Sequence, residues 1–344
     1  MRDLARRHGP VMLLRLGEVP TLVVSSPEAA REVMKTHDML FATRPLNSTM
    51  SVLTNGAGRS YNAQFSLTPN DLTLLEAIFI ALNGILDTII RERLERTTEG
   101  GGGENKDHHL VDVLLSMHKE GRLDMDAVKN IIFDIFSAGS ETTVIEWAMA
   151  ELMRNPEAMR KATAEVRRAL EARGSVEEHA LGELPYLHLV IREVLRLHAP
   201  TPLLIPRECR EPCQVLGYDV PRGTQVFVNA WAIARDERYW PDAPEEFRPE
   251  RFEGEGAVDF RGNDFSFLPF GSGRRMCPGM AFGLAIIELT LASLLFHFDW
   301  EVLPGAAGGA AAGELDMAEV FGLAARRKAD LPLRPVLRVP VPGL

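Results

Sequence analysis

Residues 270–279 read FGSGRRMCPG, a glycine-rich loop that leads directly into an apolar stretch predicted as a buried helix, Met280–Phe298. Glycines let a backbone turn tightly and approach a flat ligand without a Cβ clash. Cys277 precedes the helix N-terminus, where free N–H groups and the helix dipole favour a thiolate. Such a thiolate suits the axial position of a haem iron. The alternative is a free cysteine at a loop–helix junction, which the surrounding phenylalanine, glycines and arginine disfavour.

A second motif, AGSETT, begins at Ala138 inside the longest predicted helix, Met125–Arg154. Gly139 costs that helix ~1 kcal/mol relative to alanine, and a groove that admits a diatomic ligand would explain it. Thr142 can bond back to a carbonyl one turn earlier and open a polar pocket for water. Glu141 could relay protons from solvent. The alternative is a helix crossing of small residues with a solvated glutamate.

A third motif is Glu193-Val-Leu-Arg196, on a helix predicted over Tyr186–His198. Spacing of three places the carboxylate and the guanidinium on one face, where they can pair. On an exposed helix the pair is worth tenths of a kcal/mol, so alone it indicates little. If the pair is buried, the guanidinium needs a further partner for its remaining donors. The candidate is the segment FRPERF, which contains Arg251.

The order of these motifs resembles that of the cytochromes P-450, which are haem-thiolate monooxygenases. The sequences of the motifs are most similar to those of plant microsomal members. The segments FSAGSETT, LPYLHLVIREVLRLHAP, NAWAIARDERYWPDAPEEFRPERF and LPFGSGRRMCPG carry the resemblance. It is dense over 105–344 and recurs in 1–55. It implies a mainly α fold with small peripheral β-sheets, in one domain over 1–344. That domain would comprise an N-terminal sheet region (1–55), a divergent region with a linker (56–104) and a haem-binding core (105–344).

The resemblance also assigns roles to residues of the site. It implies a haem b whose iron is ligated by the Cys277 thiolate. Thr142 and Glu141 would deliver protons for the cleavage of dioxygen, and Arg275 and Arg207 would pair with the haem propionates. Further residues would line the cofactor: Phe270, Gly271, Gly279, Ala138 and Gly139.

Two more groups of residues receive roles outside the iron site. Glu193, Arg196 and Arg251 would form a structural network that supports the haem loop. Apolar walls for the substrate would come from Phe136-Ser137, from 203–205 and from 321–323. Core packing predicts the same apolar composition, so these walls are not distinctive by themselves.

The implied reaction inserts one atom of dioxygen into a hydrophobic small molecule, such as a plant secondary metabolite. Electrons would come from an NADPH-dependent cytochrome reductase. One alternative is a haem-thiolate isomerase or dehydratase, which needs no outside electrons. Another is a truncated, non-catalytic remnant with weak or no haem binding. Glu141 and Thr142 favour the monooxygenase, because the isomerase has less need of proton delivery.

The sequence departs from the family in its N-terminal half. Several helices of the family are replaced by GAGRSYNAQFSLTPND at 56–71, so we expect an incomplete haem pocket and poor stability or activity. Plant members of the family begin with an apolar membrane anchor and a proline-rich hinge, and we expect this chain to have neither. The resemblance implies the endoplasmic reticulum membrane, whereas a chain without the anchor could be cytoplasmic. The basic residues near the N-terminus would then face a membrane surface.

Composition narrows the classes of function. The 344 residues carry 38 basic and 48 acidic side chains, a net charge of −10, which argues against a nucleic-acid partner. No stretch offers the ~20 uninterrupted apolar residues of a membrane span. Three cysteines are too few for a disulfide framework and favour a reducing compartment. Cys209 and Cys213 could bridge in principle, but we expect two unrelated thiols.

Local signals predict several boundaries. Residues 11–24 form two apolar, β-rich runs around a Gly-Glu turn and predict a β-hairpin. Ser26 before Pro27 predicts an N-cap, as does Asn155 before Pro156. A further helix is predicted over Leu72–Arg96.

Overall fold

The computed structural model describes residues 1–45, 83–95, 109–140, 144–254, 258–303, 315–322 and 324–341, with the backbone alone for 136–140. The contacts divide the chain into two compact units, Met1–Thr43 with Thr142–Leu344, and Arg44–Glu141. The prediction of one domain over 1–344 stays a prediction.

The described residues are mainly helical. The helices in chain order are α1 (Arg2–His8), α2 (Pro27–Arg31), α3 (83–95), α4 (Leu110–Lys119), α5 (Met125–Ser140), α6 (Val144–Arg154), α7 (Pro156–Leu170), α8 (Pro185–Leu197), α9 (Ala230–Ile233) and α10 (Met280–His297). The strands are β1 (Val11–Leu16), β2 (Val19–Val24), β3 (Arg207–Glu208), β4 (Cys213–Val215), β5 (Tyr218–Val220), β6 (Gln225–Val228), β7 (Phe298–Val302), β8 (Glu319–Phe321), β9 (Ala325–Arg327) and β10 (Leu333–Leu337). The prediction of a mainly α fold with small sheets is confirmed.

Four strands form the largest sheet in the described part of the chain, in the order β1-β2-β6-β3. The predicted hairpin is confirmed: β1 and β2 pair antiparallel, with Val11 opposite Val24. Strand β2 runs parallel to β6, and β6 pairs antiparallel with β3. Three two-stranded sheets lie apart from it, namely β4-β5, β7-β10 and β8-β9. The β3 end of the large sheet carries Arg207 next to the cysteine loop.

The main core of the first unit lies between α6, α7, α8 and α10. Each helix contributes an apolar stripe, as the 3.6-residue period requires. Trp147 of α6, Val166 of α7, Leu187 of α8 and Leu291 of α10 are all fully buried there. This core fixes the two helices that flank the candidate site, α8 and α10.

The two predicted helix caps have different outcomes. Ser26 is an N-cap, because its hydroxyl oxygen accepts a hydrogen bond of 3.3 Å from the Ala29 amide. Asn155 occupies the predicted N-cap position of α7, before Pro156, but its side chain makes no capping hydrogen bond. Its Nδ2 donates to the Glu151 carbonyl at 2.8 Å and to the Glu151 carboxylate at 3.3 Å. These two bonds hold the side chain toward the end of α6.

The prediction that α10 is buried all round is wrong. Phe282, Ile286 and Leu289 are 58%, 37% and 37% exposed, and they share one face by their spacing. Only the opposite stripe, with Leu291, packs against the core. By length and composition alone, Met280–His297 is the single helix among the described residues that could span a membrane, with a mean hydropathy of 1.8.

Three further predictions concern helix extents and thiols. Helix α5 and helix α6 cover the described parts of the predicted helix 125–154, while 141–143 lie outside the described residues. Helix α3 covers the described part of the predicted helix 72–96. Cys209 and Cys213 are free thiols, but the expectation that they are unrelated is wrong. They are neighbours all the same, with their sulfur atoms 3.8 Å apart.

Candidate functional site

The cysteine loop is a compact turn that requires glycine. Gly271 and Gly273 have φ of 71° and 69°, the left-handed region that glycine adopts without strain. A Cβ on Gly273 would lie 2.1 Å from the Met34 carbonyl oxygen. The Cys277 amide donates to the Phe270 carbonyl at 2.9 Å and closes the loop. The loop therefore presses against the turn after α2 and fixes the backbone of Cys277.

The Cys277 side chain is exposed at the start of α10. Gly279 is next to it, and a Cβ at that position would lie 4.0 Å from the Cys277 sulfur, an ordinary van der Waals distance. The exposed apolar face of α10, formed by Phe282, Ile286 and Leu289, begins one turn further on. A thiol and an apolar helix face thus open in the same part of the molecule.

Two arginines reach the other side of this loop. Arg275 Nη1 donates to the carbonyls of Pro206 at 3.0 Å and Thr43 at 3.3 Å. Arg207, only 3% exposed, donates from Nη2 to the Ser272 carbonyl at 3.4 Å. The next arginine, Arg274, pairs instead with Asp38 on the surface. Two guanidinium groups therefore converge on the cysteine loop from β3 and from the loop itself.

Glu193 and Arg196 form a fully buried pair on α8. Arg196 donates from Nε and Nη2 to the two carboxylate oxygens of Glu193, at 2.7 and 2.8 Å. Its Nη1 reaches the carbonyls of Ala234 and Pro244 at 2.8 and 2.7 Å, and Nη2 also reaches that of Glu246 at 3.3 Å. These contacts use all five N–H groups of a guanidinium.

Arg251 joins this pair, in the segment where the sequence places a further partner. Its Nε donates to Glu193 Oε1 at 2.9 Å, and the Arg248 amide donates to the same oxygen at 2.9 Å. Its Nη2 donates to the carbonyls of Ala243 and Glu246. Burial lowers the pKa of Arg251, and the Glu193 carboxylate opposes that effect. The three side chains tie α8 to the segment 242–251 that precedes the cysteine loop.

Comparison with known proteins identifies the family. The model of the cytochrome P-450 family matches residues 1–66 and 60–309. Zealexin A1 synthase of Zea mays is 39% identical, covering 98% of this chain and 88% of that protein. Tabersonine 16-hydroxylase 2 of Catharanthus roseus is 38% identical, covering 97% and 87%. The chain belongs to the cytochrome P-450 family.

Relatives and solved structures agree on fold and reaction type. A zebrafish cytochrome P-450 solved with progesterone superposes with a TM-score of 0.79, covering 98% of each chain at 23% identity, which shows the fold. A relative from Zea mays, 38% identical, is a dolabradiene monooxygenase. This cytochrome P-450 is accordingly an oxidoreductase of the monooxygenase type, and the family cofactor is a haem held by a thiolate.

The relatives also show where this cytochrome P-450 is shorter. The alignment with zealexin A1 synthase extends over 451 residues, against 344 in this chain, so at least 107 aligned positions have no counterpart here. The two matches to the family model overlap at residues 60–66, which lie inside the divergent region 56–104. The expectation of a shortened N-terminal half is confirmed.

The described residues of this cytochrome P-450 fit a haem. The exposed Cys277 sulfur is a suitable donor for iron, and the bare apolar face of α10 would be covered by a flat apolar ring. The guanidinium groups of Arg207 and Arg275 at the same loop match the two carboxylates of a porphyrin. Among the described residues, no group of three or more His, Cys, Asp or Glu side chains offers an alternative metal site.

Not every predicted residue can be placed in this cytochrome P-450. Thr142 and Glu141 lie outside the described residues, as does residue 323 of the predicted substrate wall. Ala138 and Gly139 lie in the last turn of α5, where only the backbone is described.

Sequence reasoning missed a buried polar cluster around His198. The ring of His198 stacks on Trp147 and bonds to Glu151 and Glu319. No local spacing signals this cluster, because its members come from three distant segments. The only available hint in the sequence is the position of His198, two residues before Pro200, at the end of the Glu193 helix.

Proposed function

We propose that this chain binds haem b through the Cys277 thiolate and hydroxylates a hydrophobic small molecule, with electrons from an NADPH-dependent reductase. The observation that carries the proposal is the exposed Cys277 sulfur beside the bare apolar face of α10. Two guanidinium groups at the same loop complete the set. A buried free cysteine would not combine an exposed sulfur, a bare apolar helix face and two guanidinium groups at one loop.

Each residue of the chain has a stated task in this proposal. Haem, when bound, supplies the activation of dioxygen and the transfer of one oxygen atom to the substrate. The Cys277 thiolate would hold the haem iron and donate electron density to it. Arg207 and Arg275 neutralise the propionates, since a buried dianion needs cationic partners. Thr142 and Glu141 hold and move the protons that the reaction consumes.

The structural network has a different task. Among the described residues, the polar groups of Glu193, Arg196 and Arg251 bond to one another and to backbone groups, and the Arg196 guanidinium also lies over the Trp240 ring at 5.2 Å. They support the segment before the cysteine loop and do not touch the reacting atoms.

The substrate class follows from the walls and from the relatives. Leu203, Leu204 and Ile205 precede β3, and Phe321 lies at the end of β8 with 57% of its surface exposed. Such walls suit an apolar molecule, with few polar groups to orient it. Relatives are named as hydroxylases of tabersonine and of ent-isokaurene. A plant secondary metabolite, oxidised at the endoplasmic reticulum membrane, is the proposed context.

The carbon monoxide difference spectrum of the reduced protein tests the proposal. A red-shifted Soret band requires thiolate-ligated haem, and we expect that band. Its absence from well-folded protein would favour a non-catalytic remnant. Consumption of NADPH with an added reductase then separates a monooxygenase from an isomerase, which would rearrange a peroxide without it.

A further inference from the structure

A buried histidine joins three segments of the first unit. His198 directly follows α8 and is 5% exposed. Its Nε2 lies 2.8 Å from Glu151 Oε1 of α6, and its Nδ1 lies 3.2 Å from Glu319 Oε1 of β8. Its ring is stacked on Trp147, with centroids 3.9 Å apart and planes 3° apart. The imidazole is therefore held on both edges and on one face.

Glu319 is the member of this cluster that belongs to the β8-β9 hairpin. Its Oε2 accepts a hydrogen bond of 2.9 Å from the Trp231 indole, and Arg235 Nη2 lies 3.8 Å from its Oε1. Burial lowers the pKa of Arg235 to about 10, which still leaves the guanidinium charged at neutral pH. Glu319 thus has donors from His198, Trp231 and Arg235 on three sides.

The ring of His198 has a carboxylate on each edge. Glu151 and Glu319 both lie within hydrogen-bond distance of a ring nitrogen, on opposite edges of the imidazole. The indole of Trp147 covers one face of the ring. Arg154, 3.8 Å from Glu151, is a further charge on this side of the cluster.

The hairpin is fastened to the same place by its second strand. The Ala325 amide of β9 donates to the Pro200 carbonyl at 2.9 Å. The Trp147 indole donates to the Ala325 carbonyl at 3.3 Å. Phe321, at the end of β8, meets Trp231 edge to face at 6.1 Å. Both strands are therefore anchored next to His198, and Phe321 extends two residues beyond the Glu319 anchor.

We propose that His198 is a positioning residue for the substrate wall: it bridges Glu151 and Glu319 and so fixes where the β8-β9 hairpin presents Phe321. The bridge is read from the structure alone, while the meaning of Phe321 as a wall rests on the proposed function. His198 acts through Glu319 and touches neither substrate nor haem.

Hydrogen exchange of the backbone amides tests the bridge without reference to haem. In His198→Gln we expect amides in 318–328 to exchange about tenfold faster, because the hairpin opens more often when one anchor is lost. Glu319→Gln keeps an acceptor for Trp231 but loses the charge, and it should raise exchange in the same peptide. His297→Gln is the matched control, since His297 is also buried but bonds to Val339 near β10. It should leave 318–328 unchanged.

The bridge is contradicted if the peptide 318–328 exchanges alike in wild type and both hairpin variants. It is equally contradicted if His198→Gln raises exchange evenly over the whole chain, because the role would then be general stability.

Two iron-binding probes test the effect on the wall. Imidazole is a small iron ligand, whereas 4-phenylimidazole adds a phenyl ring that needs room on the substrate side. We expect His198→Gln to weaken 4-phenylimidazole about tenfold relative to imidazole, and His297→Gln to weaken neither selectively. Equal losses for both probes would overturn the role in positioning. If the wild-type protein gives no haem spectrum with either probe, the proposed function fails, and hydrogen exchange alone decides the bridge.

Discussion

The Glu193 network and the Cys277 loop are two polar regions that differ in how completely the protein satisfies them. All five N–H groups of Arg196 are bonded inside the chain. Cys277 is exposed, and the helix that follows it presents Phe282 without cover. We call the Glu193 network the closed region, because its hydrogen bonds are satisfied within the chain, and it supports the fold. We call the Cys277 loop with the exposed face of α10 the open region, because its sulfur and its apolar side chains are left for a ligand to cover.

The largest expected effect breaks the open region alone. Cys277→Ala removes the only thiol of the loop FGSGRRMCPG, so the red-shifted band of the carbon monoxide complex should disappear completely. The free energy of unfolding of the haem-free protein should change by less than about 1 kcal/mol, because the side chain is exposed. Cys213→Ser is the control and should keep the band. A Cys277→Ala protein that retains the band would place the iron ligand elsewhere.

The closed region should respond in the opposite way. Arg196→Ala leaves the fully buried Glu193 with fewer partners, and losing one member of a buried pair costs about 3–5 kcal/mol. Urea unfolding of the haem-free protein measures this loss.

A second pair, on helix α7, which precedes α8, is the control for the spacing of the two residues. Glu157 and Arg160 have the same separation of three residues, but both side chains are about two-thirds exposed. Arg160→Ala should cost less than about 1 kcal/mol. Similar losses for Arg160→Ala and Arg196→Ala would mean that burial does not distinguish the two pairs.

The same contrast explains what the sequence could predict. The hairpin 11–24 follows from two apolar runs around a turn, and the Glu193–Arg196 pair follows from a spacing of three residues, both of which the sequence displays directly. The bare face of α10 could not be predicted, because a helix that is apolar all round has no polar side to indicate its orientation. The His198 bridge depends on Glu151 and Glu319, which are far apart in sequence and meet only in the fold.

A third, smaller expected effect tests whether Arg275, but not its neighbour Arg274, belongs to the haem site. Arg275 lies at the loop and donates to the Pro206 carbonyl, while its neighbour Arg274 pairs with Asp38 at the surface. Arg275→Ala should speed the transfer of haem to a scavenging globin about tenfold, a difference of about 1.4 kcal/mol. Arg274→Ala loses the same charge and should leave the rate unchanged. Equal rates for the two variants would remove Arg275 from the propionate site.

The smallest effect concerns a carboxylate on α10 that lacks the partners of Glu193. Glu288 is partly buried, with 24% of its side chain exposed, and the His188 ring lies beside it at 3.7 Å. Burial raises the pKa of Glu288, and His188 opposes that effect.

A raised carboxyl pKa sets the sign of the pH dependence. The protonated form is favoured in the folded state, so its stabilising contribution is present below the unfolded pKa and is lost as pH rises through the folded pKa. The glutamine of Glu288→Gln cannot ionise, so the variant does not lose this stability as pH rises. At pH 7 the variant should therefore be more stable than wild type by less than about 1 kcal/mol, and near pH 4 the two should be equal. Urea unfolding across this range measures the difference. A variant that is less stable at pH 7 would show that the His188 contact outweighs burial, and that Glu288 is satisfied in the same way as Glu193.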